Sequence, residues 1–406
     1  MGRFTLRRRD CKNIFAASLK GQYAMQISRR SFLRNIGLGT VAGVAVPWPL
    51  AGASAANVSE PTRPRNADGF IRLNNNENVY GPSKTVLEAI RAAVSTANRY
   101  PYMYYDELTA RIASHHKVKP EQVLLGCGST EILRMATQAF LGAGKKLVQA
   151  SPTFEAFADY ARSTGAEIVS LPLTHEFAHD LNGMLGEATG STVLIYICNP
   201  NNPTASITPR KDIEDFIRKL PSTAYVLIDE AYHHYSGQSS SYVSFLDLPL
   251  GDERIVVTRT FSKIYGLAGL RLGYGIASPA TVSRMRRFAT KDNINAMVVR
   301  AAIAALDDQQ AVGQFVKRNT DDRQEFFNQA SARMLKPIDS HANFVMMSAH
   351  QPAAEVIQHF QENNILIGRH FPEMDTYIRV SLGTPSEMQA FWRAWDLLPH
   401  ANMHHH

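Results

Sequence analysis

"TRTFSKIYGLAGLRLGYG", residues 258–275, decides how this chain is read. It follows the β-branched run Ile255–Val257, so it begins where a buried strand stops. It sets one ammonium group, Lys263, among small and hydroxyl residues, and Arg271 follows eight residues later. Lysine is rarely buried without a partner or a chemical task. The pattern asks which chemistry needs both groups at the end of an apolar strand.

Outward from this stretch, strand-like and helix-like segments alternate. Strand-like runs occur at Val123–Leu125, Leu147–Gln149, Glu167–Leu171, Val193–Cys198, Tyr225–Ile228, Ile255–Val257 and Leu272–Ile276. Helix-like stretches lie at Thr85–Ala97, Thr130–Phe140, Glu155–Ser163 and Lys211–Lys219. That rhythm predicts an α/β fold with a mostly parallel sheet. Two long helical stretches, Ala296–Leu306 and Val312–Leu335, lead to a smaller strand–helix–strand ending with strands at Asn343–Met347 and Tyr377–Ser381. The expected division is an arm at 57–85, a large cofactor domain at 86–295 and a small α/β domain at 296–406.

Ligands of open α/β folds sit outside the carboxyl ends of the strands. Asp229 ends "AYVLID", Tyr232 lies three residues on, and Asn202 follows the strand ending at Cys198. With Lys263 and Arg271 they match the needs of pyridoxal phosphate. A lysine forms an imine with its aldehyde, and an acid pairs with its protonated ring nitrogen. Tyr232 and Asn202 can hydrogen-bond the ring hydroxyl oxygen and tune the imine. A freed Lys263 amine is placed to move the proton at the substrate Cα. For the phosphate, "LLGCGSTEIL" offers the N–H groups of Ser129 and Thr130 at a helix start. Thr260 and Ser262 add hydroxyls, Arg271 a planar fork, and Phe154 a ring to lie on the pyridine. Taken singly, Asp229 reads as a turn residue, Ser129 and Thr130 as a helix cap, and Phe154 as core. For Asp229, its place three before Tyr232 and upstream of "TFSK" reverses that reading. For Ser129 and Thr130, the Gly-rich turn ahead of them favours phosphate. Phe154 reads equally as core on its own.

From about Asn66 to Leu398 the chain resembles the class I/II aminotransferases of fold type I, closest to the histidinol-phosphate aminotransferase branch. The likeness rests on "LNNNENVYGPS", "NRYP", "NPNNPT", "DEAY", "RTFSKIYGLAGLRLGY" and "YIRVSLGTPSE", in that order. It implies that Lys263 is the imine lysine and that Tyr100 reaches the cofactor phosphate of the neighbouring subunit in a homodimer. It also implies that Arg379 clamps the substrate α-carboxylate in a bidentate pair. Tyr80 and Arg369 are exposed-loop candidates for substrate contact, Arg369 toward an acidic group. The chain departs from the family in Val79, where Pro is frequent, and in Ala205, where Gly is. The implied activity is amino transfer between an amino acid, or a histidinol-phosphate-like amine, and a 2-oxo acid. Decarboxylation, oxygen-dependent oxidation and amino-acid sensing without catalysis are the rival uses of such a site.

The net charge of +7 is concentrated near the start, where residues 1–35 carry nine Lys/Arg against Asp10 alone. The remainder is close to neutral, which argues against a nucleic-acid face. "SRRSFLRNIG", the apolar stretch Ile36–Leu50 and "AGASAA" follow the order of a twin-arginine leader over 1–56. Met25 opens a leader of more usual length, so residues 1–24 read as an over-extended start. Glycines and prolines within Ile36–Leu50, and its shortness, argue against a stable membrane anchor. The expectation is export through the twin-arginine translocase to the periplasm or beyond, after folding and cofactor loading in the cytoplasm. Cys11, Cys127 and Cys198 form no disulfide framework or zinc spacing. "HEFAH", His175–His179, fits a zinc-protease pattern, but it follows a strand ending at Pro172 and reads as loop.

Overall fold

The computed structural model describes residues 69–399 apart from 190–192, 238 and 250. The leader lies outside the described residues. The strands are β1 (Ile71–Leu73), β2 (Val123–Gly126), β3 (Lys146–Ser151), β4 (Glu167–Pro172), β5 (Val193–Cys198), β6 (Ala224–Asp229), β7 (Ile255–Thr260) and β8 (Gly273–Ile276). After them come β9 (Phe344–Ser348), β10 (Ile365–Ile367) and β11 (Tyr377–Ser381). The helices of the first part are α1 (Lys84–Ala93), α2 (Tyr102–His115), α3 (Ser129–Phe140), α4 (Ala156–Arg162), α5 (Leu181–Glu187) and α6 (Arg210–Lys219). Then follow α7 (Pro279–Arg286), α8 (Ala296–Asp307), α9 (Gln309–Ala332), α10 (Ala353–Glu362) and α11 (Pro385–Asp396).

Seven strands form one sheet in the order β2-β8-β7-β6-β5-β3-β4, in which only β8 runs against its neighbours. Two reversals around β8 bring β2 back parallel to β7. The carboxyl ends of β2, β3, β5, β6 and β7 therefore share one edge. β5 shows why the sheet is buried on both faces. All six of its residues are buried, and Val193, Ile195 and Ile197 join one apolar cluster while Leu194, Tyr196 and Cys198 join the other. An alternation of two with both faces apolar is the mark of a parallel strand between helical layers. At the site edge Cys198 lies level with Asp229, and Asp229 with Thr258.

The second core gathers Leu73 of β1 with Val345, Phe360, Ile367, Val380, Phe391 and Trp392. β1 pairs in parallel with β10, and β9 pairs antiparallel with β11. The arm is thus stitched into the small sheet system by Ile71↔Ile365 through Leu73↔Ile367. The expected boundary at 295/296 cuts ahead of α8, yet Val298, Val299, Ala301 and Ala302 bury in the large core with Val86 of α1. Burial of that apolar face holds α8 with the large sheet. The change of core falls within α9: Val312, Phe315 and Val316 pack on the large core, Phe326 and Ala330 in the small one. The "HEFAH" segment forms a turn before α5, and His179 is buried with Nδ1 2.7 Å from Thr208 Oγ1.

Candidate active site

A cavity of about 560 Å³ opens at the shared strand edge. Lys263, Asp229, Tyr232 and Asn202 line it, with Ser129, Thr130, Thr260, Ser262 and Arg271. Phe154, Arg369 and Arg379 complete the expected set on its walls. Two expected residues are elsewhere. Tyr80 donates its hydroxyl to Asp322 Oδ2 at 2.8 Å under the guanidinium of Arg318, so an ion-rich contact with α9 turns it from the cavity. Tyr100 is exposed and stacks on Tyr102 at 5.4 Å.

Asp229 stands at the end of β6, buried on the side chain's Tyr196 face. Tyr196 donates to its Oδ2 at 3.0 Å, Thr258 to its Oδ1 at 3.1 Å and the Ala231 amide to Oδ1 at 3.2 Å. Burial pushes its pKa up, and these three donors oppose the push by favouring the carboxylate. All three donors are neutral, so no counter-ion among them compensates the carboxylate.

Lys263 follows β7 and reaches back to the arm. Its Nζ donates to the carbonyls of Asn75 at 3.2 Å and Asn76 at 3.0 Å, and lies 5.4 Å from the Tyr232 ring centre. Burial, then the nearby Arg379 charge, lower its pKa to about 7, with Glu77 opposing. An amine so placed is partly uncharged at neutrality and able to act as nucleophile and proton carrier.

The anion cradle is built on the turn before α3. Gly128, at φ 80°, caps the helix, and a Cβ there would strike Arg271 Nη2. Gly273 likewise has no room for a Cβ beside the Ser129 amide. Both glycines let backbone and guanidinium close on one point. Arg271 donates to Ser262 Oγ at 3.2 Å, to Thr130 Oγ1 at 3.4 Å and to the Ala268 carbonyl at 3.0 Å. Arg271 itself holds φ 59°, in the left-handed region that non-glycine residues seldom occupy. A helix start, two hydroxyls and a planar cation form a phosphate-type site.

Arg379, on β11, donates from Nη1 to Asn202 Oδ1 at 2.6 Å and from Nη2 to the Asn74 carbonyl at 2.8 Å. Its Nε is buried without a partner, a donor at a cavity wall that a carboxylate satisfies. Asn202 therefore orients Arg379 through its Oδ1, a link that the sequence reading did not single out.

The arm contributes what sequence reasoning did not single out. Asn76 (φ 55°) donates from Nδ2 to Tyr232 Oη at 3.1 Å, receives Ser381 Oγ at Oδ1 at 3.1 Å and offers its carbonyl to Lys263 and to Asn343. The triple asparagine of "LNNNENVYG" was the available signal, since Asn is among the few residues at ease at positive φ. Glu155, also on the cavity, holds Arg369.

These residues fit pyridoxal phosphate. Asp229 offers an uncompensated carboxylate for the ring nitrogen, Lys263 an amine for the aldehyde, and the Arg271 cradle a seat for the phosphate. Acetic anhydride labelling of Lys263 in cofactor-free protein should reach half its plateau near pH 7, because the free amine prevails above that value. Labelling that climbs through about pH 10, the ordinary lysine range, would contradict the desolvated placement.

Comparison with known proteins agrees with this geometry. Residues 68–394 match the family described as aminotransferase class I and II. The histidinol-phosphate aminotransferase of Moorella thermoacetica is 33% identical over 341 residues, 83% of this chain and 87% of that protein. The aromatic amino acid aminotransferase of Cutibacterium acnes is 34% identical over 281 residues, 69% of this chain and 80% of that protein. Among solved structures, histidinol-phosphate aminotransferase from Sinorhizobium meliloti in complex with pyridoxal-5'-phosphate has a TM-score of 0.75 at 26% identity, covering 80% of this chain and 89% of that one. With its fold, its lysine and its acid at the expected strand ends, this chain belongs to the class I and II aminotransferases, which are pyridoxal-phosphate enzymes.

Proposed function

We propose that Lys263 carries a two-step amino transfer from an amino acid, or a histidinol-phosphate-like amine, to a 2-oxo acid. The observation that carries it is the meeting of a desolvated amine, a buried carboxylate and the Arg379 fork on one cavity. When bound, pyridoxal phosphate supplies an aldehyde that takes the amino group and a ring that withdraws electrons from the Cα–H bond. Asp229 keeps a negative charge under the cavity, stabilised by Tyr196 and Thr258. Arg379 grips the α-carboxylate and is itself fixed by Asn202 and Asn74. Lys263, once its nitrogen is free, would carry the donor's Cα proton to the cofactor carbon that bears the amino group, and on the second pass would carry a proton from that carbon to the acceptor's Cα. The Asn75 and Asn76 carbonyls hold that nitrogen in place between the two transfers.

The chain's reach extends beyond one subunit and one compartment. Tyr100 is exposed, with Tyr102 and Met103 beside it, as suits a tyrosine offered to a second copy. The leader pattern "SRRSFLRNIG" supports export of the folded enzyme by the twin-arginine translocase.

Adding a donor to the loaded enzyme without acceptor should change the cofactor's absorbance once per site, and a 2-oxo acid should restore it. Lys263→Ala should lower the rate of that change by ~100-fold or more, whereas sustained turnover without any acceptor would overturn amino transfer. Mixing Lys263→Ala with Tyr100→Ala subunits should recover activity through hybrid dimers carrying one intact site. Failure to recover it from subunits shown to exchange would count against a shared site. Changing Arg29 and Arg30 together to Lys should retain the protein in the cytoplasmic fraction; undiminished export would remove the twin-arginine reading.

A further inference from the structure

Glu77 aside, each charge on the cavity has a task in the amino transfer except one pair. Arg271 serves the phosphate, Asp229 the ring and Arg379 the α-carboxylate. Arg369 is held by Glu155 instead. Its Nε donates to Glu155 Oε1 at 3.0 Å and its Nη2 lies 2.6 Å from Oε2, a fork-to-fork pair. Its Nη1 donates to the His370 carbonyl at 2.7 Å, and its guanidinium lies 4.1 Å from the Phe371 ring centre. The Arg379 guanidinium approaches the same ring at 5.3 Å. Arg369 therefore neighbours the group that holds the α-carboxylate, within reach of the donor's side chain.

We propose that Glu155 is a specificity-determining residue: by occupying Arg369 it excludes donors with anionic side chains and leaves the site to amino acids with uncharged ones. The proposal rests on the amino-transfer reading and deepens it. An incoming carboxylate or phosphate can reach the Arg369 fork only by displacing Glu155. The displaced carboxylate would remain in a cavity that already carries Glu77 and Asp229. An uncharged side chain leaves the pair intact and meets the apolar surface of Ile367 on the same cavity. Specificity here comes from an internal competitor that penalises the wrong substrate rather than from an added attraction for the right one.

The test compares loaded wild-type enzyme with Glu155→Gln. Leucine and phenylalanine are run as donors beside glutamate and O-phosphoserine, and succinate and butyrate are titrated by thermal shift. Wild type should show the higher kcat/KM with the uncharged donors. In Glu155→Gln the acidic-to-uncharged ratio should rise about tenfold or more, and succinate should bind tighter by a similar factor relative to butyrate. Adding Arg369→Met to Glu155→Gln should erase both gains. A wild-type preference for the acidic donors would overturn the proposal, as would a change under about threefold in both readouts. Succinate binding needs no turnover, so it reads the role of Glu155 even where amino transfer itself fails. Glu155 is about half exposed, with a side-chain accessibility of 52%, so the isosteric amide threatens no core. Glu155→Ser should reproduce the shift.

Discussion

Two ionisable groups kept from water govern this site. Burial drives Asp229 toward its acid and Lys263 toward its free base, in each case away from charge. The amine benefits from that drive, since only its uncharged form attacks a carbonyl. The acid must resist it, and the hydroxyls of Tyr196 and Thr258 with the Ala231 amide are the means. Because Tyr196 and Thr258 stand on β5 and β7, the parallel strands that flank β6, these two donors and their acceptor are set by sheet register, and only the Ala231 amide comes from the turn that follows. The chemistry inherits the close packing of the buried central strands β5, β6 and β7.

The same strand ends are pinned from the other face. Glu230, next to Asp229, meets Arg259, next to Thr260, at 2.8 Å, and both are buried. Ser244 donates to Glu230 at 2.7 Å, the Phe245 amide does so at 2.8 Å, and Arg259 donates to Ser244 at 2.7 Å. A buried ion pair survives desolvation only with such additional hydrogen bonds. His233 and His234 lie close by, and burial, then the Arg259 charge, holds both well below the usual imidazole range. They stay neutral and spare Arg259 a rival cation. A strand slip at this edge would break the pair and displace Asp229 together.

Much of this was legible because strand ends announce themselves. An apolar β-branched run that stops at an acid or ahead of a lysine points to the ligand edge of the sheet whatever its distant partners are. Asp229 and Lys263 were readable in that way, and the Ser129 turn through the glycines that open its helix. The asparagines of the arm were not. Asn76 matters through Tyr232, Ser381 and Asn343, partners from 156 to 305 positions away. Nothing in local spacing encodes such contacts. Glu155 stayed hidden for the same reason, since its partner is 214 positions distant. Tyr80 misled because a motif tyrosine on a loop looks free until α9 supplies Asp322. The domain boundary misled because helix periodicity shows that α8 has an apolar face but not which core receives it.

Ala205 gives the signature after "NPT" an energetic meaning. It holds φ 59°, a conformation that costs an L-residue roughly 1–2 kcal/mol, and glycine avoids that cost. Yet its methyl is fully buried, worth about 0.8 kcal/mol, and alanine restricts the unfolded chain by a further ~0.4–1 kcal/mol. The opposing terms nearly cancel. Alanine and glycine are therefore nearly interchangeable here in energy, and Ala205 by itself carries no message about which amine the enzyme consumes.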